Sequence, residues 1–64
     1  MFEVGQKVFV YDKREPTELW EGEILDISKD GRRVHVWYET MYIATGRWFP
    51  IEKVYTEHKY LEKV

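Results

Sequence analysis

The feature that most constrains this chain is a slip of phase inside one apolar run. Between residues 19 and 28 the sequence LWEGEILDIS alternates as a strand does, but Gly22 and Ile24 lie in one phase while Leu25 and Ile27 lie in the other. A strand has a side-chain period of two, so a change of phase requires an extra residue, a β-bulge, and a bulge increases the local twist and bends the sheet. A glycine close to the slip fits the same bend. The segment therefore predicts a small sheet that curls and closes on itself.

The neighbouring stretches supply the other strands. Lys7-Val8-Phe9-Val10-Tyr11 is rich in β-branched and aromatic residues, with Val8 and Val10 on one face, and reads as the first strand. Residues 12–18 are charged and contain Pro16, which cannot continue a central strand, so they are read as a loop. Asp30-Gly31 is a strong hairpin signal, with positive φ expected at both positions, and a third strand follows over residues 33–38. Residues 39–46 read as a connection of about eight residues, longer than the 2–5 usual in hairpins and of a kind that often carries binding groups. Residues 47–49 form a fourth strand, residues 50–53 a single helical turn, and Val54-Tyr55 a closing strand.

The predicted fold is all-β, a small five-stranded SH3-like barrel over residues 1–55, followed by a tail, residues 56–64, read as a short helix capped by Thr56. A 64-residue chain is one domain near the lower limit for a self-supporting core, and large rings suit such an interior: aromatics make up 17 % of the residues. The absence of cysteine excludes disulfides and thiolate zinc sites. No apolar run approaches the ~18 residues of a membrane helix, and the first residues lack the form of a signal peptide, so a soluble chain is expected.

Charge and chemistry narrow the function. The formal net charge is −2, so no overall basic field draws the domain to nucleic acid. One serine and two histidines, His35 and His58, show no triad or metal spacing, and the glycines are scattered rather than gathered in a phosphate loop. A non-enzymatic module without cofactor or metal is expected. Residues 34–50 hold five of the eleven aromatics, namely Trp37, Tyr38, Tyr42, Trp48 and Phe49. Trp48 is assigned to the core and His35 to the outward side of its strand.

Val4-Gly5-Gln6-Lys7-Val8, Leu19-Trp20-Glu21-Gly22-Glu23-Ile24, Val36-Trp37-Tyr38 and Arg47-Trp48-Phe49-Pro50-Ile51-Glu52-Lys53-Val54 together resemble the chromo-barrel domains of the Tudor and chromodomain superfamily. Those domains occur in MORF-related-gene, male-specific-lethal and MYST acetyltransferase proteins, and the likeness runs from about Phe2 to Tyr55. Laid without gaps on this chain, the family's strand-two aromatic falls on Trp20, its strand-three tyrosine on Tyr38, and its closing Trp-Val-Pro on Trp48-Phe49-Pro50. The family's two loop tryptophans, walls of its methyl-lysine cage, fall instead on Met41 and Thr45, and its Asp-Glu pair on Gly46-Arg47.

The resemblance implies a nuclear, chromatin-associated domain, part of a larger complex, that recognises a histone-like basic peptide, methylated or not. A trimethylammonium group donates no hydrogen bonds and is held by aromatic faces, each contributing roughly 0.5–2 kcal/mol. Trp20 and Tyr38 supply two such faces by resemblance. Tyr42 would be a third and Tyr11 a fourth, with Asp12 as charge complement and Met41 as a soft apolar wall. The acidic residues Glu15, Glu18, Glu21, Glu23 and Asp26 suit a basic ligand. Two further readings stand beside this one. The first is a barrel binding nucleic acid through Lys29, Arg32, Arg33 and Arg47, with Trp37 or Tyr42 stacking on a base. The second is a scaffold that docks a protein through Met41 and Tyr42.

Overall fold

Four antiparallel strands run up and down in chain order in the computed structural model, which describes residues 2–57. They are β1 (Lys7–Asp12), β2 (Glu15–Ile27), β3 (Arg33–Glu39) and β4 (Ala44–Pro50), with a 3₁₀ turn at Ile51–Lys53. The fifth strand is reduced to one bridge: Tyr55 pairs antiparallel with Phe9 through N–H to O bonds of 2.8 and 2.9 Å. Phe9 thus pairs with Glu21 of β2 on one side and Tyr55 on the other, and the sheet curls into the expected small barrel.

Strand alternation decides what the curl encloses. Val8 and Val10 of β1, Ile24 of β2, Val34, Val36 and Tyr38 of β3, and Val54 form the buried core, with Phe2, Trp20, Ile27 and Phe49 packed against it. β-Branched residues dominate because they fit a pleated, buried surface.

The curl has two local causes. In β2, Ile24 pairs with Val36 and Asp26 with His35, so Leu25 is the extra residue of the expected bulge, and Leu25 and Asp26 are both exposed. Close by, Gly22 is the partner of both Val8 and Tyr38. A Cβ placed there would lie 2.6 Å from the Trp37 carbonyl oxygen and 2.9 Å from the Tyr38 Cβ. Only glycine permits the strands to approach so closely.

The connections are shorter than the sequence predicts. β2 begins at Glu15, so Lys13 and Arg14 alone join it to β1. Pro16 is tolerated because residues 16–18 have no partner between the pairs Asp12↔Glu15 and Tyr11↔Leu19, and no ladder bond is required of it. In the next hairpin only Gly31 has positive φ, at 73°, and its N–H bonds the Ser28 carbonyl at 2.9 Å. Asp30 keeps ordinary dihedrals because its carboxylate shapes the turn, accepting from the Ser28 hydroxyl at 2.7 Å and the Arg32 amide at 3.0 Å.

The expected eight-residue connection between β3 and β4 is in fact residues 40–43. Thr40 closes it: its N–H bonds the Ile43 carbonyl at 2.8 Å, and its hydroxyl oxygen accepts from the amides of Tyr42 at 3.1 Å and Ile43 at 3.2 Å. β4 is correspondingly longer than predicted. The helix expected over residues 56–64 falls, beyond Glu57, outside the described residues.

Candidate functional site

Tyr38 and Asp12, expected to face a ligand, are instead core. Tyr38 lies in the same strand phase as Val34 and Val36 and is only 1 % exposed; its ring meets Phe49 edge-on, with centroids 5.7 Å apart. The Tyr38 hydroxyl donates to the Asp12 carboxylate, itself 3 % exposed. Asp12 also accepts from the Arg14 amide at 2.7 Å, and the Arg14 guanidinium lies 3.7 Å away. The tyrosine hydrogen bond, the Arg14 amide and the charges of Arg14 and Arg47 outweigh desolvation and hold the carboxyl below its ordinary range. Burial, followed by the neighbouring carboxylate, pushes the Tyr38 hydroxyl up to about 12.

The remaining residues of the expected cage scatter. Trp20 is half-buried against the core, and its indole N–H donates to the Glu15 carbonyl at 3.0 Å. Tyr42, 80 % exposed, and Met41 project from the tight turn, Thr45 is half-buried in β4, and Tyr11 is exposed on β1. With Tyr38 turned inward, the ring set Trp20, Tyr38 and Tyr42 does not surround an open site.

Trp48 corrects the sequence reading in the opposite sense. It is 45 % exposed, and Phe49 takes the place in the core. Register explains the exchange, because Trp48 pairs with His35 and Phe49 with Val34, and His35 belongs to the outward phase of β3. The imidazole stacks on the indole of Trp48 with centroids 4.9 Å apart and 11° between planes. Trp37, two residues on in the same phase, is 44 % exposed.

Beside Trp37 the outer face is concave. A groove of about 420 Å³ is lined by Trp37, Lys7, Glu21, Glu23 and Glu39 together with Gly5 and Gly22. Glu23 is the β2 partner of Trp37, and Lys7 is the β1 partner of Glu23, so the sheet itself sets these side chains side by side. Lys7 lies 3.6 Å from Glu21, at the exposed rim, and offsets one of the three carboxylates. The groove sets an indole beside an excess of negative charge, the surroundings that stabilise an organic cation.

The opposite end of the face is basic. Arg32 and Arg33 line a second depression of about 620 Å³ with Asp30, Pro50, Ile51 and Glu52, and Lys29 is exposed in the adjoining turn. The Arg32 amide and the Ser28 hydroxyl hold the Asp30 carboxyl below its ordinary range. Arg47 stands apart from this group, since its partner Val36 is in the core phase and its charge acts on Asp12. Among the described residues no group of three or more His, Asp or Glu side chains is placed to hold a metal ion.

The chain matches no family model, curated protein or solved structure. The likeness to chromo-barrel domains therefore rests on the residues quoted above. The sequence signalled the acidic character of β2 but missed the groove as a site. The usable signal was the odd-numbered phase of β3, which puts Trp37 and Glu39 on one face, opposite Glu23 across the hairpin.

Proposed function

We propose that this barrel is a non-enzymatic recognition module for a basic peptide, holding a lysine or arginine side chain in the groove between Trp37 and the carboxylates of Glu21, Glu23 and Glu39. The observation that carries the reading is the exposed indole placed beside three acidic side chains. An exposed cation–π contact contributes about 0.5–1 kcal/mol, and each exposed ion pair up to about 1 kcal/mol. Such a site binds weakly by itself and gains from several basic residues in one ligand.

A histone tail has this chemistry, and the resemblance to chromo-barrel domains supports a chromatin setting in the nucleus. Methyl-lysine recognition here would use the Trp37 face rather than an enclosing set of rings. Fewer aromatic walls predict little preference between lysine and trimethyl-lysine.

Titration of the ¹⁵N-labelled chain with a lysine-rich peptide, unmodified and trimethylated, tests the proposal. Shifts are expected at the Trp37 indole, Glu23 and Glu39, and Trp37→Ala should weaken binding, read at Glu23 and Glu39, by about two- to fivefold. Shifts confined to Trp20 and Tyr42 would move recognition to the β3–β4 turn. No shift at millimolar peptide would remove the basic-peptide reading.

A further inference from the structure

The outward face of β3 and β4 is an ordered row. Along β3 it reads Arg33, His35, Trp37, Glu39, and the β4 partners of these residues are Pro50, Trp48, Gly46 and Ala44. Charge changes sign along the row, from Lys29, Arg32 and Arg33 at one end to Glu39, Glu21 and Glu23 at the other. The middle is aromatic, with Trp48 stacked on His35 and a half-exposed Trp37 beside them. Gly46 contributes no side chain, and the His35 ring lies across that position, 3.0 Å from where a Cβ would be.

We propose that this face packs on the same face of a second copy of the chain, about a two-fold axis that runs across the strands along the Val36–Arg47 pair. The axis reverses the strand direction and places β3 on β3 and β4 on β4. Arg33 and Glu39 are equidistant from Val36, so each meets the other in the partner copy, twice. Gly46 and Trp48 are equidistant from Arg47, so each Trp48 meets the His35 ring that lies over the partner copy's Gly46. His35 and Trp37 exchange in the same way. A surface that is its own complement under rotation is what a two-fold dimer requires. Neither a uniformly basic nor a uniformly acidic ligand matches both ends of the row.

Seven residues of strand extend about 20 Å, and two or three strands of that length make a small interface of the transient class. The dimer is therefore weak and sensitive to salt. Trp37 and Glu39 also belong to the peptide groove, so a second copy and a basic peptide compete for them, although the dimer does not depend on the peptide reading.

Sedimentation equilibrium from micromolar to millimolar protein tests the inference, with Arg33→Glu, Glu39→Arg and their equimolar mixture. The wild-type weight-average mass should rise with concentration, and each charge reversal should weaken association at least about tenfold. The mixture should recover it, because one variant carries acid and the other base at both contact positions. Both substitutions are at exposed positions, and circular dichroism checks that the fold is kept. A wild-type chain that stays monomeric at millimolar concentration overturns the inference, as do reversals without effect or a mixture that remains monomeric. Quenching of tryptophan fluorescence by a short single-stranded oligonucleotide in a strictly monomeric chain would give the face to nucleic acid and overturn it as well.

Discussion

The Tyr38 hydroxyl donates a hydrogen bond to the Asp12 carboxylate, and both groups are buried although 26 residues separate them in the chain. The bond joins β3 to the end of β1 across β2. Removing one partner of such a pair strands the other in a poorly solvated place, at a cost of about 1–3 kcal/mol. Tyr38→Phe and Asp12→Ala are each expected to destabilise the chain by that amount. The double variant should lose clearly less than the sum, since neither group is then left without its mate. Urea unfolding of the four chains measures this, and strict additivity would show that the bond contributes nothing of its own.

The same pair sets a dependence on pH at both extremes. The Asp12 carboxyl is held below its ordinary value of 3.8, so its contribution to stability is complete above that value and is lost as pH falls through the lower folded value. Tyr38 is raised from 10.0 to about 12, so the neutral hydroxyl is favoured by folding. Its contribution is complete below about pH 10 and is lost as pH rises toward 12. Thermal melting of the wild type should fall off at both ends. Tyr38→Phe should lower the plateau, soften the acid limb and remove this residue's share of the alkaline limb. An alkaline limb of the same steepness in the phenylalanine variant would assign it to other residues.

Gly22 is expected to tolerate no side chain. Its neighbours at 2.6 and 2.9 Å include the Trp37 backbone and the Tyr38 Cβ, neither of which yields by a side-chain rotation. Relief requires the β2–β3 pair to part at the Gly22–Tyr38 pairing. Gly22→Ala should therefore cost about 3 kcal/mol or more, in the range seen for overpacking of a core. Gly46→Ala is the control, because there the nearest atom, at 3.0 Å, is the His35 imidazole, which can swing away. It should cost under about 1 kcal/mol. Equal losses in the two variants would refute the distinction between backbone and side-chain crowding.

What was legible in the sequence follows from periodicity. The phase slip around Gly22 and Leu25 is visible in the order of residues alone and located the bulge. The alternation Val34, Val36, Tyr38 likewise encodes a core face, and it outweighs the outward cage position that the resemblance implies for Tyr38. Ring size alone favours Trp48 for the core, but whether Trp48 or Phe49 points inward depends on which of them pairs with His35, a cross-strand fact that no local pattern supplies. The groove at Trp37 has the same origin. Its carboxylates come from β2 and β3, and they become neighbours only through pairing.

Thr40 shows how one hydroxyl shortened the expected loop, and it gives the last prediction. Its hydroxyl oxygen accepts from the Tyr42 and Ile43 amides and its O–H donates to the Glu15 carboxylate at 2.7 Å, tying the β3–β4 turn to the start of β2. Glu15 in turn presents its carbonyl to the Trp20 indole at 3.0 Å. Thr40→Ala removes all three hydroxyl bonds and should cost about 1–2 kcal/mol, the range for losing a side-chain cap. Thr40→Ser keeps the oxygen and should recover most of that loss. Hydrogen exchange at the Tyr42 and Ile43 amides is the direct reading: it should accelerate in the alanine variant and stay near wild type in the serine variant. Unchanged exchange in both would mean that the backbone bond from the Thr40 amide to the Ile43 carbonyl, 2.8 Å long, holds the turn without the hydroxyl.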